Sequence, residues 1–133
     1  MAIVSSETLP LASESDVVTV RRRVREVTAQ LGFTLVDQTK LVTAASELAR
    51  NTLIHGFGGA MDLITLNGPR TGLRLTFQDK GPGIPNINLA LRDGFTTGSG
   101  LGLGLGGAKR LVNEFEIISR AGEGTKITVT RWR

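Results

Sequence analysis

Hydrophobic residues recur along this chain in two different periods. Val17, Val20, Val24, Val27 and Leu31 fall three or four apart, the spacing of one helix face. They predict a first helix, with Ser13 or Ser15 as its cap and Gly32 as its stop. Leu41, Ala45, Leu48 and Thr52 repeat that period, with Val42 and Ala49 beside them. They predict a second helix over 35–55, ended by Gly56, Gly58 and Gly59. The period then changes to two. Leu73, Leu75 and Phe77 alternate with Arg74, Thr76 and Gln78, as in a half-buried strand. The short apolar run 60–66 predicts its partner, with Asn67-Gly68-Pro69 as the turn between them. Residues 3–12 read as an edge strand or an arm.

The second half is punctuated by glycine. Asn86 is placed to cap a short helix over 87–92, and the stretch 94–107 is glycine-rich. Leu105, Ala108, Leu111, Val112 and Phe115 predict one more helix. Residues 116–120 and 125–132 predict a closing hairpin, joined by Ala121-Gly122-Glu123-Gly124. The expected fold class is α+β: a two-layer sandwich, with a mostly antiparallel sheet and helices gathered on one face. A doubly wound parallel sheet needs regular strand–helix alternation, which is absent. No repeat or linker divides the chain, so one domain over 1–133 is expected.

Composition narrows the function classes. With 133 residues, 40% of them hydrophobic, the chain can bury a core. No apolar run approaches the roughly 20 residues of a membrane span. Met1-Ala2-Ile3-Val4 lacks the basic and apolar blocks of a signal peptide. The absence of cysteine excludes disulfides and Cys-ligated metals and fits a cytoplasmic setting. The net charge of +4 admits an acidic partner, but Arg21, Arg22, Arg23 and Arg25 read as the solvated face of the first helix. Aromatics are 5% and tyrosine is absent, which makes a poor platform for stacking bases. Neither nucleic acid nor a membrane is an expected partner.

Four short stretches carry candidate chemistry. Glu47 and Asn51 are four apart on the second helix and share a face, with Arg50 beside them. An amide oxygen such as that of Asn51 can ligate Mg²⁺ while phosphates and water fill the other positions. A carboxylate such as Glu47 can accept a proton from a hydroxyl or water. Alone, the trio is ordinary helix surface. Asp79-Lys80-Gly81-Pro82-Gly83 leaves a strand. An aspartate there can accept the adenine amino hydrogen, and glycines let backbone approach a flat ring. Alone, it is a turn with a charged exit. Gly98-Ser99-Gly100-Leu101-Gly102-Leu103-Gly104-Leu105 opens a helix, and its bare N–H groups suit phosphate. Gly102, Gly104 and Gly107 also match the dinucleotide fingerprint, but no strand runs directly into them. Thr125, after Gly122-Glu123-Gly124, can reach a base directly or through water, although a hairpin turn explains it equally. There is no Gly-x-x-x-x-Gly-Lys loop, no His-Arg-Asp and no Asp-Phe-Gly. His55 is the sole histidine and reads as a packing or helix-end residue.

In combination these stretches gain specificity. Glu-x-x-x-Asn, Asp-x-Gly-x-Gly, Gly-Leu-Gly-Leu-Gly and Gly-x-Gly-Thr, in that order over about 35–130, resemble the GHKL ATPase superfamily. The chain is similar within it to compact protein-serine kinases related to anti-sigma factors, in particular the stressosome switch kinases. Ser46-Glu47-Leu48-Ala49-Arg50-Asn51, Asp79 to Pro85, Asp93-Gly94-Phe95-Thr96-Thr97 and Asn113-Glu114-Phe115 carry that similarity, with Val36-Asp37-Gln38 and Ala121 to Thr125. The resemblance implies ATP and Mg²⁺, with Glu47 as general base and Asn51 holding the metal on the phosphates. It implies that Asp79 and Thr125 read adenine and that Gly81 and Gly83 contact the base. Gly100, Gly102 and Gly104 would wrap the triphosphate, with Arg50 and Lys80 supporting the pocket. The implied partners are STAS-domain proteins and a PP2C-type phosphatase regulator. The alternative is an anti-sigma factor that binds a sigma subunit and phosphorylates its antagonist. A second is a pseudo-kinase that binds ATP only to hold its shape, against which an intact Glu47 argues.

Overall fold

The computed structural model describes residues 2–84, 86–91 and 105–133. In chain order they form β1 (Ala2–Leu11), α1 (Glu14–Gln30), α2 (Leu35–Ile54), β2 (Gly59–Asn67) and β3 (Gly72–Asp79). Then come α3 (Ile87–Ala90), α4 (Leu105–Arg110), β4 (Glu114–Arg120) and β5 (Gly124–Trp132). The strands make one sheet in the order β1-β2-β3-β5-β4, and every pairing is antiparallel. The expected α+β class and antiparallel sheet are therefore observed. No helix among the described residues is long and apolar enough to cross a membrane.

The alternation that predicted strands also decides which face is covered. Met61 lies opposite Phe77, Phe77 opposite Ile127, and Ile127 opposite Ile117. Leu63, Leu75, Val129 and Phe115 make the next row. Both rows join a single apolar cluster with Val17, Val20 and Val24 of α1 and Leu41, Ala45 and Leu48 of α2. Leu41, Leu48 and Phe77 are fully buried there, each contributing roughly 2–5 kcal/mol against truncation to alanine. The intervening residues form a polar outer face. There Thr8 Oγ1 donates to Asp62 (2.6 Å) and Arg74 Nε donates to Thr130 Oγ1 (3.0 Å).

Helix ends follow local chemistry. Ser13 caps α1, where the Asp16 carboxylate accepts from the backbone N–H groups of Ala12 and Ser13. Thr34 caps α2, its Oγ1 accepting from the Asp37 N–H at 3.1 Å. The helix expected from Leu105 to Phe115 stops instead at Arg110. Asn113 N–H donates to the Thr130 carbonyl (2.9 Å), its side chain accepts from Trp132 N–H (2.7 Å), and Phe115 pairs with Val129. Pairing with β5 has overridden a helical period. The short helix after Asn86 is likewise trimmed to Ile87–Ala90.

Two of the α1 arginines are more than solvated charge. Arg23 pairs with Glu7 of β1 at 2.6 Å, and Arg25 donates to Thr39 of α2 at 3.2 Å. A third arginine ties the layers together. Arg131 of β5 meets Asp37 in the first turn of α2 at 2.7 Å and also donates to the Leu111 carbonyl. The Arg131 hydrogen bond is the main reason the Asp37 carboxyl titrates below its ordinary 3.8, partly opposed by its desolvation. A depressed acid stabilises the fold fully above its unfolded value, and that contribution is lost as pH falls through the folded value. Asp37→Ala is expected to cost about 1–2 kcal/mol at pH 7 in urea unfolding. The cost should vanish once the medium is acidic enough to protonate the native Asp37. An equal cost at both pH values would contradict the ion-pair account.

Candidate nucleotide site

The C-terminal end of α2 runs up against the exit of β3. Its last turn closes with His55 N–H and Gly56 N–H both donating to the Asn51 carbonyl, at 2.9 and 3.2 Å. Gly56 then lies directly on Asp79, so that any Cβ at Gly56 would collide with the Asp79 carboxylate. Gly81 meets the same backbone from the other side, and a Cβ there would stand 2.7 Å from Gly56 Cα. Two facing glycines are what permit this approach.

Asp79 is half-buried and held from beneath. Its Oδ1 accepts from Gly81 N–H at 2.8 Å and from Thr125 N–H at 3.2 Å. Thr125 is buried, and its hydroxyl shares a 2.9 Å hydrogen bond with Ser119 Oγ across the β4–β5 pair. Ser119 Oγ in turn accepts from Ile84 N–H at 2.7 Å. This chain of bonds links β3, the following turn and the final hairpin, so the position of Asp79 is set by three segments at once. Among the described residues no donor is bonded to Asp79 Oδ2.

A cleft opens above this floor. Asn51, Asp79 and Thr125 supply polar atoms to it, and Phe77, Ile84, Leu105 and Ile127 supply apolar wall. Thr52, His55, Gly56 and Gly83 complete the lining. A mostly apolar slot with a few convergent polar groups is the usual form of a small-molecule site. Of the residues expected from sequence, Asn51, Asp79, Gly83 and Thr125 meet at this cleft. Gly81 sits behind it, buried against Gly56. Glu47 is half-buried one turn before Asn51, outside the lining, and Arg50 and Lys80 are exposed and also outside it. Gly100, Gly102 and Gly104 lie outside the described residues.

Sequence reasoning missed Ser119 and the collision role of Gly56. Ser119 is legible only from hairpin register, because it faces Thr125 across β4 and β5. His55 does cap α2, as a helix-end residue should, and it also borders the cleft. Among the described residues no three His, Asp or Glu side chains gather as a metal cage. Mg²⁺ commonly takes few protein ligands and completes its shell with phosphate and water, so the Asn51 amide oxygen is chemically adequate for it.

The chain belongs to the family of histidine kinase-, DNA gyrase B- and HSP90-like ATPases, which matches residues 36–132. It falls on the branch that holds serine/threonine-protein kinases and anti-sigma factors. It is 43% identical over 123 residues to the serine/threonine-protein kinase RsbT of Bacillus subtilis, covering 92% of each chain. It is 31% identical to an anti-sigma F factor of Thermoanaerobacter, over 84% of this chain and 82% of that one. A crystal structure of RsbU and RsbW domains from Mycobacterium tuberculosis superposes with a TM-score of 0.65 at 25% identity. That match covers 97% of this chain and 33% of the longer one. The family is one of ATPases.

Gly56→Ala tests the close approach. It should destabilise the protein by about 1–3 kcal/mol, as overpacking does, and weaken ATP-analogue binding in the same sample. Wild-type melting and wild-type affinity together would show that the helix end tolerates a side chain.

Proposed function

We propose that this chain is a Mg-ATP-dependent serine/threonine protein kinase that works in the cytoplasm by switching partners. Its substrate is a STAS-domain protein of a stressosome-like complex. After transfer it turns to a PP2C-type phosphatase regulator. The observation that carries this reading is the division of labour along α2. Asn51 faces a cleft floored by Asp79 and Thr125, whereas Glu47, one turn earlier, stands outside that cleft and half-exposed. A base beside the nucleotide, open to a second molecule, suits transfer to a protein hydroxyl.

In the proposed reaction the Asp79 carboxylate accepts from the adenine amino group, with the Thr125 hydroxyl assisting. The substrate hydroxyl attacks the γ-phosphorus in line, and the bond from that phosphorus to the β–γ bridging oxygen breaks. Glu47 takes the hydroxyl proton and ADP leaves. Asn51 would hold Mg²⁺, which when bound neutralises phosphate charge. Glycines 100, 102 and 104 would supply N–H groups to the phosphates. Most of the rate enhancement then comes from positioning and electrostatics. The similarity to anti-sigma F factors supports a second reading, in which the chain sequesters a sigma subunit. Retention of sigma rather than the STAS protein in a pull-down would favour it.

Labelled ATP with the STAS protein of the same organism tests the kinase reading. Native protein should transfer label. Glu47→Ala should lose at least about a hundredfold in transfer while ATP-analogue affinity stays the same. Undiminished transfer by that variant would remove Glu47 from the chemistry. Asp79→Asn places an amide donor where the adenine amino group arrives, and should weaken analogue binding at least about tenfold. Unchanged affinity would refute the adenine role.

A further inference from the structure

Positions on α2 separate by angle, at about 100° per residue. Leu41, Ala45, Leu48 and Thr52 turn to the core. Asn51 and His55 stand on one flank and border the cleft. On the far side Val36, Thr43, Arg50 and Ile54 form a stripe that is exposed throughout. Glu47 falls on the helix between that stripe and the cleft flank. The stripe continues into Phe57, just past the helix end.

Phe57 is an unusual residue for its place. It is 81% exposed, the highest among the exposed large hydrophobics of the described residues, and Ile54 one turn before it is 47% exposed. Its φ is 60°, and among the described residues it is the sole non-glycine in the left-handed region. A bulky side chain is disfavoured there, where Gly or Asn is the common choice. The conformation is imposed from both sides. Gly56 is pressed on Asp79, and Gly58 N–H is tied to the Thr52 carbonyl at 3.0 Å. Backbone preference and solubility would both favour a small polar residue, yet an aromatic ring is held out in water. Strain of this kind persists where it serves a site.

We propose that Phe57 and Ile54 are the anchors on which the protein substrate docks, and that Arg50 meets a carboxylate beside its apolar socket. This rests on the kinase reading. The nucleotide takes the cleft flank of α2, so an acceptor hydroxyl that is to reach Glu47 approaches over the exposed stripe. Arg50 on that stripe has no hydrogen bond or ion pair among the described residues, and is available to an acidic partner group. Aromatic and arginine side chains in one exposed patch are the usual composition of binding hot spots.

The test compares native protein with Phe57→Asn and Ile54→Gln. The asparagine suits the left-handed backbone, so folding is preserved. Val18→Gln, which removes an exposed apolar side chain on α1, is the control. Three quantities are read: affinity for the purified STAS protein with a non-hydrolysable ATP analogue present, affinity for the analogue alone, and KM for the STAS protein in transfer. Phe57→Asn and Ile54→Gln should each weaken STAS binding at least about tenfold and raise KM to match. Analogue affinity should not change, and Val18→Gln should alter nothing. Unchanged STAS binding in both variants would overturn the proposal, as would absent binding by native protein. A parallel loss of analogue affinity would overturn it too, by showing a distorted cleft. So would native self-association that Phe57→Asn abolishes, since the patch would then serve a second copy. Should native protein bind the STAS protein but transfer no label, the kinase reading fails by itself, and the binding comparison still decides the docking surface.

Discussion

The cleft depends on one close approach, that of the α2 C-terminal end to the exit of β3. No side chain fits between Gly56 and Gly81, so helix and strand backbones meet directly. With the two elements that close, Asp79 turns its carboxylate onto the N–H groups of Gly81 and Thr125. Three parts of the chain far apart in sequence thereby share one floor: α2 brings Asn51, β3 brings Asp79 and β5 brings Thr125. A separation larger by one methyl group would divide them. The glycines after α2 therefore do more than end a helix.

The fold was legible wherever its signal was local. The valines of α1, the leucines of α2 and the alternation of β3 each reveal a period within a dozen residues, and each became the expected element. The reading failed at 111–115, where Leu111, Val112 and Phe115 continue a helical spacing by coincidence of composition. Their structure is decided by β5, whose carbonyl at Thr130 and N–H at Trp132 engage Asn113. Propensity is a weak prior beside such pairing. The arginines show the same limit. Arg23 finds Glu7, and Arg131 finds Asp37, across 16 and 94 residues of chain. No local pattern announces either pair.

The candidate site was legible as an ordered set of residue types. Asn51, Asp79, Gly83 and Thr125 come from separate stretches and border one cleft. What sequence could not assign was the kind of contact each makes. Gly81, expected to contact the base, also packs its backbone directly on Gly56. Ser119 carried no signal of its own, because a serine in a strand is unremarked until its partner across the hairpin is known. Its hydroxyl proves to join Thr125 to the turn at Ile84.

The way Asp79 is held also gives the cleft a sense of direction. One oxygen is spent on backbone donors, and the other borders the space beside Gly56. A carboxylate anchored like this cannot rotate to offer anything except a lone pair. A purine that presents an amino group at that edge completes the pairing. One that presents a carbonyl there sets oxygen against oxygen in a half-dry slot, where an unmatched acceptor costs most. On the proposed adenine reading, discrimination between the two purine nucleotides would thus rest on the backbone of the turn that fixes the carboxylate as well as on the carboxylate itself.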